Sequence, residues 1–508
     1  MACLPRFRFR LGVPDLVFGI VLVTILIRGS QLLNDAGTFW HARLGREIAR
    51  TGDVPRLDVL TFTRDHAPWI DQSWAFDWGL AAVVDRWGWS AAVALASLGL
   101  AALYGIMARG LIRDGTSPLI ALGVTIFAAW IGTIHFLLRP HLFTFGFFYW
   151  TLRCCQMQHK RGGWAIASLP LVMVLWANVH GGFLAGLVIV GTAAVAHAIS
   201  GSWDQARRVN LARFAGIFLL CSLAPLINPY GVGLYRHVGQ FVSGAASLTL
   251  EFQPIQFGQG QTRLVESVLL ALIAMPTFSS RRMDRYNLAH ALVWLHLALV
   301  SVRHAPLFAL AVAPGLAQVL DGPTQVGCDG GRDRTGWSIW PAATALVILL
   351  GVCLGIRFAG FDPKTWPLQA VPALDCQPLE ARLFHELDWG GLIESECRPV
   401  RQAFIDDRCE LFGKSAIEQY QEALHGGPDW EAIRDRERIE LVWVRPQCGL
   451  ARRLTADPSW QILHRDPVSI LFRRRAESET KQASHSMGVS GAIPEEYCEL
   501  TVRREGGD

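Results

Sequence analysis

The sequence predicts a polytopic α-helical membrane protein with a small soluble α/β module at its C-terminal end. Three observations predict this fold class. Apolar stretches of roughly 17–25 residues recur about ten times before Phe358, and each can span a hydrocarbon core about 30 Å thick. Only 18% of the residues are charged, against about one quarter in an ordinary soluble domain. Charge then returns in 359–508, where no spanning run occurs. A soluble protein with several buried helices is excluded by the number and length of the apolar runs. The 19 Trp and 26 Phe against 7 Tyr suit aromatic anchoring at a lipid interface. A net charge of only +4 gives no case for nucleic-acid binding.

The expected spans are 13–33, 88–110, 117–135, 140–153, 164–178, 182–200, 210–227, 262–278, 286–301, 304–320 and 338–358, about eleven in all. Met1–Arg10 is basic and precedes an apolar run, as in a signal peptide. That run extends from Val13 to Leu33 without a small-residue cleavage pattern, so it reads as a retained first helix. The first loop, 34–87, contains two expected interface helices. In 38–50, Trp40, Leu44 and Ile48 recur on one face, with Arg43, Arg46, Glu47 and Arg50 on the other. Gly52-Asp53-Val54-Pro55 marks a turn, and 74–87 carries Trp74, Trp78 and Trp87 as anchors. The transmembrane domain is thus 1–358 and the soluble module 359–475. Strands are expected near 402–406, 438–444, 460–464 and 468–473, with helices near 415–425, 428–436 and 449–455. The Ser-, Gly- and Glu-rich tail, 476–508, reads as disordered.

Lys and Arg in the short loops set the expected orientation. One set of loops carries Arg109 and Arg113; Arg153, Lys160 and Arg161; Arg207, Arg208 and Arg213; and Arg281, Arg282 and Arg285. These belong in the cytoplasm with the N-terminus. The alternate loops and the C-terminal module then lie outside.

The conspicuous polar groups fall on that outer side, at every second crossing. They are Asp35 and His41, Asp58 in the first loop, Arg139-Pro140-His141, Asn178-Val179-His180, Asn228-Pro229-Tyr230-Gly231, Glu251 and Arg303-His304. Ionisable groups at membrane depth are costly and are usually retained for function. Arg grips phosphate through parallel hydrogen bonds, and His exchanges protons near neutral pH. Each has a plainer reading beside it. Asp35 sits where it could cap the 38–50 helix, the arginines could snorkel, Asn228–Gly231 is good turn chemistry, and His135 reads as a core residue.

Asp35 with Phe39-Trp40-His41, then Gly45, Ile48, Gly52, Pro55, Asp58, Thr61-Phe62-Thr63, Trp69 and Trp74, resembles the first periplasmic loop of bacterial membrane proteins related to the GT-C glycosyltransferases. The elements Arg139-Pro140-His141, Trp176 to Gly182, Asn228–Gly231, Arg303-His304, Asp388-Trp389-Gly390-Gly391 and Phe404-Ile405-Asp406-Asp407-Arg408 extend the resemblance over most of 15–475. It implies a bacterial inner-membrane protein, with its outer face in the periplasm, that uses a sugar donor carried on a polyprenyl phosphate or diphosphate, with Asp35 as catalytic base or metal ligand. His41, Asp58, Arg139, His141, Asn178, His180, Glu251, Arg303 and His304 would bind the substrate or its phosphate. Relatives often carry Asp-x-Asp at this point, whereas Asp35 is followed by Ala36-Gly37. A divalent metal stays open but is not indicated by a two-carboxylate motif, unless Asp53, Asp58 or Asp71 folds back.

The expected function is transfer of a sugar to a glycan, lipid or protein acceptor at the outer face of the bilayer. The alternatives are a transporter or flippase of a polar lipid or glycan, and a non-catalytic membrane scaffold. The module lacks a phosphate loop, metal-ligand spacing or nucleophile elbow, which suits acceptor binding, covering the membrane site or partner docking. Its Cys376, Cys397, Cys409 and Cys448 could form one or two disulfides in an oxidising compartment, with pairing left open.

Overall fold

A computed structural model describes residues 12–200, 203–243, 252–258, 263, 265–270, 274, 282–321, 340–353 and 360–475. The expected span 262–278 falls largely outside the described residues, as do Glu251 and the tail 476–508. Among the described residues the chain is mostly helical with one small sheet. It divides into two compact units. The first takes Met1–Asp35, Leu44–Pro55 and Ile70–Gly360; the second takes Ala36–Arg43, Arg56–Trp69 and Phe361–Asp508.

In the first unit, four helices among the described residues are long and apolar enough to cross a membrane: Trp89–Arg113, Pro118–His135, Gly181–Ile199 and Gln205–Leu226. This is fewer than the eleven expected: 262–278 lies largely outside the described residues, and other runs fall short in length or composition. Arg285–Val300 and Ala305–Leu320 have 16 residues each, about 24 Å of helix against a core of about 30 Å. The first apolar run is divided into Val13–Ile27 and Gly29–Leu32. His141–Arg161 is long, but it ends in Gln158-His159-Lys160-Arg161. Trp340–Cys353 is also short, at 14 residues.

These helices pack side by side. Val13–Ile27 lies against Trp89–Arg113, Pro118–Gly132 and Trp340–Cys353, and Arg285–Val300 packs on Ala305–Leu320. The expected interface helix 74–87 is observed as Trp74–Trp87. Its partner in the first loop runs over Gly37–Thr51.

The second unit is built around a four-stranded sheet: β1 (Arg382–His385), β2 (Ile439–Val444), β3 (Trp460–Arg465) and β4 (Ile470–Arg474), in the order β1-β2-β4-β3. β1 and β2 are parallel, with Leu383 opposite Leu441 and Phe384 opposite Val442. A parallel pair needs a long crossover, supplied here through helices Gly390–Glu396, Lys414–Leu424 and Asp429–Glu437. β4 runs antiparallel to both β2 and β3. Leu441, Val442, Trp443 and Val444 are all buried, which makes β2 the centre of the core.

The stretch 402–406, expected as a strand of this sheet, instead makes one bridge, Ala403 with Thr61 of the first loop. Phe62 N–H donates to the Ala403 carbonyl at 3.0 Å, and Ala403 N–H donates to the Leu60 carbonyl at 2.9 Å. Among the described residues, Cys376, Cys397, Cys409 and Cys448 are free thiols.

Candidate functional site

The site in the first unit begins at Asp35, just beyond the helical turn Gly29–Leu32. Arg139 Nε donates to Asp35 Oδ2 at 2.5 Å. Leu138 N–H donates to the Leu32 carbonyl at 2.8 Å, which holds the two chain segments together. Two residues further on, His141 opens helix His141–Arg161. Its Nε2 donates to the His135 carbonyl at 2.6 Å, and its ring centroid lies 6.4 Å from that of His180.

His180 stands at the break between helices Leu169–Val179 and Leu184–Ile199. Its tautomer follows from its neighbours. Trp176 Nε1 donates to Thr144 Oγ1 at 2.9 Å, so the Thr144 hydroxyl is directed to His180 Nδ1, 2.8 Å away. Gly182 N–H also points at Nδ1, at 3.1 Å. With Nδ1 accepting, a neutral imidazole carries its proton on Nε2. That nitrogen faces Arg303 Nη2 at 3.4 Å. Two donors therefore meet where an anionic oxygen could satisfy both. Arg303 is held over the Phe252 ring at 4.7 Å, a favourable cation–π distance. Arg303, His141 and Arg139 all lie within electrostatic range of His180.

Asp35, Arg139, His141, His180 and Arg303 are thus brought into one neighbourhood. Asn178 has a different task. Trp74 Nε1 donates to its Oδ1 at 2.9 Å, while its Nδ2 donates to the Val174 and Ile227 carbonyls, both at 2.8 Å. Its amide is spent on joining three segments. His304 closes the single turn Val302–His304, with its ring 6.5 Å from Trp294. Tyr230 ties the Asn228–Gly231 turn to the first loop: its hydroxyl accepts from Asp71 N–H at 3.0 Å and donates to the Pro55 carbonyl at 2.7 Å.

Thr144 and Phe252 were given no site role from sequence, and Trp176 entered only as the first residue of the Trp176 to Gly182 element. Thr144 and Phe252 lie in or beside apolar runs and carry no local signal. Beside the cluster, an apolar cavity of about 570 Å³ is lined by Phe76, Leu80, Leu100, Leu138, Leu142 and Phe143, among others. Leu138 and Leu142 bracket Arg139 and His141 in the chain.

His41 and Asp58 belong to the second unit. His41 is buried, with its ring 3.7 Å from that of Trp40. Asp58, expected as a substrate ligand, is sealed in the core. It accepts from Leu60 N–H at 3.2 Å, from Thr61 N–H at 3.1 Å and from the Thr61 hydroxyl at 2.5 Å. Arg408 Nη2 reaches it at 2.8 Å and also binds Asp406 at 2.6 Å. Arg408 lies 4.7 Å from the Trp69 ring. Burial opposes its charge, but Asp406 and Asp58 more than offset that and keep its pKa above the usual range. Glu394 is buried in the same cluster. Burial, and then the charge of Asp406, push its pKa well above the ordinary carboxylate value.

The Asp388-Trp389-Gly390-Gly391 motif serves this cluster through close approach. A Cβ at Gly390 would lie 2.2 Å from the Ile405 carbonyl, and one at Gly391 would lie 2.7 Å from the Ala36 carbonyl and 3.0 Å from Trp40 N.

Among the described residues no group of three or more His, Cys, Asp or Glu side chains is arranged to hold a metal ion. No protein-family model and no curated protein matches the chain.

Proposed function

We propose that the protein is a membrane glycosyltransferase that moves a sugar from a polyprenyl-phosphate-type lipid to an acceptor at the periplasmic face of a bacterial inner membrane. The observation that carries this reading is the gathering of Asp35, Arg139, His141, His180 and Arg303 in one unit, with the His180 and Arg303 donors facing each other at 3.4 Å. A carboxylate beside a cationic pocket suits transfer from a phosphate leaving group. Asp35 takes the proton from an acceptor hydroxyl as that oxygen bonds to the sugar's anomeric carbon. The bond from this carbon to the phosphate oxygen breaks, and the charge left on the lipid phosphate is met by Arg139, Arg303 and His180 Nε2–H. The neighbouring apolar cavity supplies a surface suited to hydrocarbon.

The test uses purified full-length protein in lipid nanodiscs and in proteoliposomes, given radiolabelled polyprenyl-phosphate-linked sugars. Label appearing on an acceptor, and lost in Asp35→Asn, supports transfer. Label that crosses the liposome membrane intact establishes a transporter instead. Neither transfer nor transport across the donor panel overturns both readings in favour of a scaffold.

A further inference from the structure

A second cavity lies wholly within the second unit and takes no part in the chemistry above. Its volume is about 490 Å³, within the range of small-molecule sites. Its lining divides into an apolar floor and a polar rim. Phe404, Phe412 and Ile433, all buried, supply apolar surface. The rim carries Arg64, Lys414 and Arg436 against the single carboxylate of Glu437. Arg64 is positioned by its own backbone contact, with Nη2 donating to the Phe412 carbonyl at 2.9 Å. Lys414 and Arg436 remain largely exposed, and their ion pairs are with Glu418 at 3.7 Å and Glu437 at 2.9 Å. Such exposed pairs are weak and exchangeable. Thr63, Ser415 and Gln419 add hydroxyl and amide groups along the same wall.

We propose that this cavity binds a small anionic ligand, a sugar carrying a phosphate or a carboxylate. Three cations against one carboxylate select the charge. Hydroxyl and amide groups beside an apolar floor suit a body that is polar at its edges and apolar on one face. The sugar assignment rests on the transferase reading, whereas the anion assignment stands on the lining alone.

Calorimetry on the full-length protein in nanodiscs tests the proposal with glucose 6-phosphate, glucuronic acid, glucose and inorganic phosphate, and no lipid donor is present. The expected result is saturable binding of glucose 6-phosphate or glucuronic acid at about millimolar Kd or tighter. Glucose and inorganic phosphate should each bind at least about tenfold more weakly, because each supplies half of the contacts. Lys414→Gln and Arg436→Gln alter exposed side chains that the fold does not depend on. Together they should weaken anionic-sugar binding at least about tenfold. Binding of glucose equal to that of the anionic sugars, or no effect of the paired substitution, overturns the site. Inorganic phosphate binding as tightly as glucose 6-phosphate overturns the sugar assignment. Absence of any saturable binding overturns the whole proposal and leaves the transfer assay, run separately on donor lipids, unaffected.

Discussion

Arg408 Nη2 lies 2.8 Å from Asp58 Oδ1, and both side chains are sealed from solvent, at 1% and 0% exposure. The pair joins the Arg56–Trp69 stretch to the Phe404–Arg408 motif inside one core. Losing one partner of a buried ion pair strands the other and costs about 3–5 kcal/mol. Arg408→Met should therefore lower the thermal midpoint of the second unit sharply, as read by tryptophan fluorescence. A midpoint within a degree of the wild type would show that the pair adds nothing.

The same core should be squeezed by pH from both sides. Burial lowers His385 from 6.5 to about 4. Its Nδ1 donates to the Glu386 carbonyl at 2.8 Å, and its Nε2 accepts from Phe404 N–H at 2.9 Å. Between these two values the unfolded chain binds more protons, so stability falls as pH drops through that window. Glu394 acts in the opposite sense. Its folded pKa lies well above 4.5, so the folded state holds the proton and stability falls as pH rises through that higher value. Glu394→Gln should flatten the alkaline limb of the melting-temperature profile and leave the acid limb in place.

Asp35→Asn tests the chemical role directly. A positioned base is worth about 10²–10⁴-fold, so sugar transfer per folded molecule should fall by that factor. Wild-type transfer in this variant removes Asp35 as the base.

Gly391→Ala places a methyl group 2.7 Å from the Ala36 carbonyl and 3.2 Å from Phe39 Cβ. The surrounding atoms are backbone or tightly packed, so overpacking should cost about 1–3 kcal/mol. Equilibrium denaturation followed by tryptophan emission would register this. An unchanged denaturation midpoint would show that the segment gives way freely.

The strongly periodic elements were legible in the sequence. Trp74–Trp87 matches the expected range, and Lys414–Leu424, Asp429–Glu437 and Gly449–Ala456 each lie within a residue of it. β1 was missed because four residues, Arg382–His385, carry too short an alternation to stand out. The apolar content of 402–406 was visible, but its pairing with Thr61 is a long-range relationship that local pattern does not encode. Among the described residues fewer helices reach spanning length than the apolar runs suggested, because hydropathy marks apolar runs without requiring each to form one continuous helix of that length. At the site, Asp35 and Arg139 were singled out and are found together, whereas Asp58, expected among the substrate-binding residues, is not with them. Its fate is decided by Arg408, which no local spacing reveals.

The second unit draws on chain from both before and after the apolar helices. Ala36–Arg43 and Arg56–Trp69 share a core with Phe361 onward. In a bilayer this fixes a parity. A core cannot be divided by a membrane, so the chain between Trp69 and Phe361 must cross an even number of times. The four described helices between them that are long and apolar enough to cross a membrane fit that condition. Any further crossings in this interval must come in pairs, and a reporter fused after residue 69 must lie on the same side as one fused after residue 475.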